Sequence, residues 1–174
     1  MCIMMTKYIR NEEHYSKVLK SLTDVKRELW IATSDIKDIY MRDGIPLLGK
    51  LAELIERGVC VRLIHAKEPR VNFRNDFDRY PILATMLERL LCPRVHFKLM
   101  IFDLSVAYIG SANLTGAGLG AKSPNRRNFE AGILTSNSAL VHSAINQFDS
   151  LWMGAACMNC GRKRYCSDGV DGVE

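Results

Sequence analysis

The residues able to do chemistry in this chain are concentrated in one stretch, His96 to Asn113, which reads HFKLMIFDLSVAYIGSAN. Its polar members are His96, Lys98, Asp103, Gly110, Ser111 and Asn113, and the residues between them are apolar with strand character. Two short β-runs joined by Asp103-Leu104-Ser105 predict a hairpin. Side chains alternate faces along a strand, so His96 and Lys98 share one face while Asp103 falls on the other. The hairpin returns Ser111 and Asn113 to the His96 end of the first strand. An imidazole, an ammonium, a hydroxyl and a carboxamide then converge, and that set suits a phosphate.

The spacing H-x-K-x4-D-x6-G-S-x-N resembles the motif of the phospholipase D superfamily at every specified position, and Asn128-Phe129-Glu130 is similar to the family's N-x-E element. The resemblance implies a phospholipase D-like α/β fold, a mixed, largely parallel β-sheet flanked by helices on both faces. It implies a metal-independent phosphodiesterase in which His96 attacks phosphorus and forms a phosphohistidine. Lys98, Ser111 and Asn113 would hold the non-bridging oxygens, and Glu130 would take the other ring nitrogen of His96. Asp103 belongs to the motif, but on the opposite strand face it is better cast as a structural partner than as an acid in the reaction. The family uses two motifs per site and this chain carries one, so a homodimer sharing the site is expected.

The substrate is less sharply written. The short single-motif chain resembles the bacterial dimeric nuclease branch. Arg126 and Arg127 directly before Asn128, with a net charge of +5, fit backbone contacts to DNA or RNA. A phospholipid is the alternative substrate, and a non-catalytic nucleic-acid-binding scaffold of the same fold is the alternative function. Aromatic residues are not interleaved with the basic ones, so no stacking platform for single strands is visible.

The elements that must position the motif follow from hydrophobic periodicity. Residues 11–27 carry a helical stripe (Tyr15, Val18, Leu19, Leu22, Val25) with Asn11 as a cap. Residues 28–33 and 59–64 read as strands around a helix at 45–57 that stops at Gly58, an arrangement that predicts a parallel crossover. Residues 66–80 read as an irregular polar loop with Lys67, Arg70, Arg74 and Arg79, and Pro81 opens a helix running to Leu91. The glycines between Thr115 and Asn125 predict a loop, residues 129–135 a strand and 138–152 an amphipathic helix. His65-Ala66-Lys67 is a second H-x-K, with Asn72 where the aspartate would stand, but no G-S-x-N follows it. His65 is expected to be an ordinary core or surface histidine.

Composition excludes several classes. Apolar residues at 48% and charged residues at 25% argue for a folded chain, and 174 residues suffice for one core. No apolar run approaches the roughly 20 residues of a membrane span, nor does the N-terminus resemble a secretory signal. A cytoplasmic location is expected, and there six cysteines serve as thiols or metal ligands rather than disulfides. Cys157, Cys160 and Cys166 form C-x2-C-x5-C, and Cys92 is the favoured fourth ligand over Cys2, Cys60 and His142. A structural zinc or [4Fe–4S] cluster is expected there. The chain thus divides into a phospholipase D-like domain, 1–156, and a cysteine-rich tail, 157–174.

Overall fold

The computed structural model describes residues 5–37, 39–41, 44–67 and 71–167, with Asn72 described by its backbone alone. Cys2 and Arg70 lie outside the described residues, as does the Asn72 side chain. Seven strands form one sheet: β1 (Thr6–Arg10), β2 (Glu28–Thr33), β3 (Cys60–His65), β4 (Glu88–Leu91), β5 (Lys98–Phe102), β6 (Val106–Gly110) and β7 (Ala131–Thr135). Their spatial order is β1-β7-β6-β5-β2-β3-β4.

The sheet is mixed, as expected, but its parallel share is smaller than the sequence suggested. Only β2–β3 and β3–β4 pair in parallel, and the four other neighbouring pairs are antiparallel. For the motif hairpin the cause is the length of the connection. β5 and β6 are joined by three residues, and so short a link can only join antiparallel strands.

Helices cover both faces. Leu29 and Ile31 of β2 join the larger core with α1 (Leu19–Thr23), α2 (Leu47–Glu56) and α4 (Pro81–Met86). Trp30 and Ala32 point the other way, to Val141, Ala144 and Phe148 of α5 (Ser138–Trp152). Trp30 stacks on Phe148 with ring centroids 5.0 Å apart. β5 is buried at every position, so its unbroken apolar run reflects burial on both faces.

Three local expectations change. Thr6–Arg10 forms an edge strand, and the first helical segment starts later, as a π-helical turn at His14–Val18 leading into α1. Residues within the expected polar loop form α3 (Val71–Phe77). Glu88–Leu91, expected as the end of a helix, pairs with β3 as a strand. Apolar runs this short carry no periodicity long enough to separate helix from strand, so pairing decides. α5 does start where expected, its first turn capped by the Asn137 side chain, which accepts from Leu140 N at 3.1 Å.

Candidate active site

The sheet brings the motif to one end of its strands. Lys98, first in β5, pairs with Gly110, last in β6, and Gly110 pairs with Gly132 of β7. On the other side Ala32 pairs with Leu99, so Thr33 ends β2 beside the start of β5. Ser111, Asn113, Glu130 and His96 all flank these strand ends.

Lys98 is 7% exposed, a costly place for an ammonium unless its charge is used or paired. Its Nζ donates to the His96 carbonyl oxygen and lies 3.3 Å from His96 Nδ1. Burial pushes its pKa down, and the Glu130 carboxylate pulls it back up. His96 itself is exposed.

Asn113 is oriented by its oxygen. Oδ1 accepts from Ser34 Oγ (2.8 Å) and Asp35 N (3.2 Å), with Thr33 Oγ1 3.3 Å away and donating its one proton to Asp35 O at 2.7 Å. Two donors on one oxygen fix which end of the amide is which, and Nδ2 remains as the donor end. Thr33 Oγ1 also receives Leu114 N at 3.0 Å, so the end of β2 holds the backbone next to Asn113. Gly118 packs against the same turn, where an added Cβ would stand 2.7 Å from the Asn113 carbonyl oxygen.

Glu130 departs from the role the resemblance implied. Its carboxylate accepts from Ser111 Oγ and, at 3.0 Å, from Asn128 Nδ2. The ring nitrogen of His96 intended for it faces Lys98 instead. The backbone of Glu130 is pinned by Asn11, whose N donates to Glu130 O at 3.0 Å and whose Oδ1 accepts from Glu130 N at 3.2 Å. Asn11 therefore does not cap a helix. It sits at φ 46°, a conformation that asparagine tolerates, and ties the end of β1 to the site. Beneath these groups the fully buried Tyr108 accepts from Ala112 N at 3.3 Å.

Asp103 lies outside this constellation. At the far end of β5 its carboxylate accepts from the backbone N–H groups of Lys26, Arg27 and Glu28 at 2.7–3.2 Å. It clasps the hairpin tip to the entry of β2 and touches none of the groups gathered around Lys98. Of the two arginines, Arg126 is exposed, while Arg127 pairs with Glu12 at 3.5 Å. His65 is buried, with Nδ1 2.9 Å from Lys67 O, the core rather than the surface one of the two placements expected.

Asn11, expected as a helix cap, instead holds Glu130 in place, and Thr33 and Ser34, which hold Asn113, carry no expectation from the sequence beyond the strand that ends at Thr33. The sequence reading also gave no role to Phe129, which is 96% exposed between Asn128 and Glu130. An apolar residue between two polar motif positions was the available signal for Phe129. Nothing local marks the other three, because their partners are distant in the chain.

Among the described residues, no group of three or more His, Cys, Asp or Glu side chains is placed to hold a metal ion. The expected zinc or iron–sulfur ligand set of Cys92, Cys157, Cys160 and Cys166 is therefore not assembled as such. Cys60 is half-buried, its thiol pushed up to about 11 by burial and by the carboxylates of Glu28 and Glu88. No helix among the described residues is long and apolar enough to cross a membrane.

Solved structures resemble this one over nearly all of its length. NucT from Helicobacter pylori matches 93% of this chain and 98% of its own at 15% identity, with a TM-score of 0.63. Nuc from Salmonella typhimurium, a phospholipase D family member, matches 86% of this chain and 95% of its own at 17% identity, also with a TM-score of 0.63. TrmBL2, an archaeal chromatin protein with a novel mode of DNA binding, matches 88% of this chain and 54% of its own at 13% identity and a TM-score of 0.61. No curated protein matches the chain in sequence. The family described as "Cardiolipin synthase, PLD-like domain" matches residues 18–152. With that match spanning most of the chain and including every motif residue from His96 to Glu130, this protein belongs to the phospholipase D-like family.

Proposed function

We propose that this protein is a metal-independent nuclease, cleaving DNA or RNA phosphodiesters through a phosphohistidine at a site shared by two chains. The observation that carries this reading is the buried Lys98 ammonium against His96, together with an Asn113 amide whose oxygen is already occupied. Both groups offer donors and positive charge to a phosphate, and such preorganised groups stabilise the extra charge of a pentavalent transition state.

Nε2 of His96 attacks phosphorus, and the bond to the leaving alkoxide breaks. The departing oxygen takes its proton from the His96 of a twofold-related chain, because one imidazole cannot attack and protonate in the same step. Water then attacks the phosphohistidine, losing its proton to that second imidazole, and His96 is released. Attack through Nε2 needs the ring proton on Nδ1. A phosphate that draws Lys98 Nζ toward its own oxygens would free Nδ1 for it.

Nucleic acid is favoured over lipid by the surroundings of the site. Arg126 and Lys122 are exposed on the loop that leads to Asn128, and Arg94 is exposed two residues before His96. Phosphate backbones are held by such cations, and the bare ring of Phe129 offers a base a face to stack on. The DNA-binding match of TrmBL2 and the net charge of +5 point the same way.

The test is a panel with EDTA present: single-stranded DNA, duplex DNA, RNA and phosphatidylcholine vesicles. Cleavage of a nucleic acid, with the vesicles untouched, is expected. Turnover of the lipid alone would overturn the substrate assignment. Mixing His96→Ala chains with wild type should lower activity more than in proportion, because a mixed site has one histidine. A fully active monomer on sedimentation would refute the shared site.

A further inference from the structure

The cysteine-rich tail faces inward in an unusual way. From Ala155 to Ser167 every residue is exposed except Cys157, Cys160 and Cys166, each of which is half-buried. No leucine, valine or isoleucine holds this segment down. Its inward positions are all thiols, none of them in a disulfide.

The tail folds back onto the chain that leads into the motif. Cys166 Sγ donates to Leu91 O at 3.2 Å, and Arg162 Nη1 donates to Pro93 O at 3.3 Å. Arg94 Nη1 lies 3.7 Å from Cys160 Sγ. The half-buried Cys92 is anchored opposite, its N donating to His65 O at 2.8 Å. As a result Cys92, Cys157, Cys160 and Cys166 border a single cavity of about 210 Å³, with Val95, Phe97 and Leu151 on its apolar wall.

A polar segment with no apolar anchors cannot bury enough surface to offset the entropy of ordering it. A metal held by four thiolates supplies that free energy directly. We propose that these four cysteines hold a soft, thiolate-ligated metal centre in this cavity, which pins the tail to the segment entering His96. The four sulfurs stand around the cavity without yet being gathered as a ligand set. A single zinc, with bonds of about 2.3 Å, would draw them inward, while a four-iron cluster needs less movement because it is itself wider. Ligation replaces four S–H protons by metal bonds. Arg94 and Lys163, both exposed and lining the cavity, offset the negative charge left on the sulfurs.

The experiment is metal analysis and absorption spectroscopy of the full chain, purified anaerobically from cells supplied with zinc and with iron. About one zinc per colourless chain, or about four irons with labile sulfide and a brown absorbance, is expected. Cys157→Ser and Cys160→Ser should each remove roughly nine-tenths of the metal and lower Tm, whereas Cys60→Ser, which lies outside the cavity, should keep it. Should the serine variants fail to fold, cobalt added to chelated wild type serves instead, with thiolate-to-cobalt charge-transfer bands expected. Wild-type protein holding less than about one-tenth of an equivalent of any metal under both supplies would overturn the proposal. So would full metal retention in Cys157→Ser and Cys160→Ser, or mass-spectrometric evidence that the tail cysteines are paired as disulfides.

Discussion

Removing the Asp103 carboxylate separates the structural from the catalytic reading of the motif aspartate. In Asp103→Ala, the backbone N–H groups of Lys26, Arg27 and Glu28 lose their acceptor. Hydrogen bonds to a charged group are worth about 1.5–3 kcal/mol in net terms. The site is partly exposed and water can replace the carboxylate, so the whole clasp is worth about 2 kcal/mol rather than the sum of its bonds. Asp103 also sits at φ 49° and Leu104 at φ 53°. Alanine is disfavoured there by roughly a further 1 kcal/mol, a cost asparagine largely avoids. A total of about 3 kcal/mol in a chain of this size lowers Tm by roughly 6–12 °C. Asp103→Asn, which keeps one acceptor and tolerates the backbone, should lose about half as much. Thermal denaturation followed by circular dichroism gives the shift. Turnover measured well below Tm should stay within about threefold of wild type, since the carboxylate touches no group of the site. An unchanged Tm with turnover down a hundredfold would refute the reasoning. The pH dependence gives a second reading. Burial pushes the Asp103 carboxyl up, but the three backbone donors and Arg27 outweigh it and hold its pKa below the usual value. A carboxyl depressed on folding stabilises fully above its unfolded pKa of about 3.9 and loses that contribution as pH falls through the lower folded value. The Tm gap between wild type and Asp103→Ala should therefore narrow only below about pH 4.

Three further outcomes follow from the site. His96→Ala should abolish turnover while His96→Asn, equally inactive, keeps the fold, since an exposed side chain contributes little to stability; activity within tenfold of wild type in either variant would end its assignment as nucleophile. Lys98 works as a cation whose pKa burial lowers, so activity should fall on the alkaline side at a pH below that of an ordinary lysine; a flat profile through that range would remove the ammonium from the mechanism. Gly118→Ala puts a Cβ 2.7 Å from the Asn113 carbonyl oxygen, which should cost about 1–3 kcal/mol of stability and lower turnover by up to about a hundredfold through displacement of the Asn113 amide. Wild-type kinetics in that variant would show that the Asn113 turn has slack.

The sequence by itself determined the chemistry and its local frame. The intervals from His96 to Asn113 encode a hairpin whose turn is three residues long, and such a turn imposes antiparallel pairing and returns Ser111 to the start of β5. The periodicities of residues 47–56 and 138–152 were long enough to declare helices, and β2, β3 and β5 declared themselves as continuous apolar runs. Tertiary structure alone decided what has partners far away in the chain. Thr6–Arg10 is a strand because β7 offers it an edge, and Glu88–Leu91 is one because β3 does. Asn11 and Thr33 serve the site only because the sheet brings the last residues of β1 and β2 to the same end of the strands as the start of β5, across separations of 119 residues to Glu130 and 80 to Asn113. The choice of Lys98 rather than Glu130 as neighbour of the His96 ring is of the same kind. Glu130 is drawn to Ser111 and Asn128 across the β6–β7 pair, and a motif records which residues meet without recording which of them hydrogen-bond to one another.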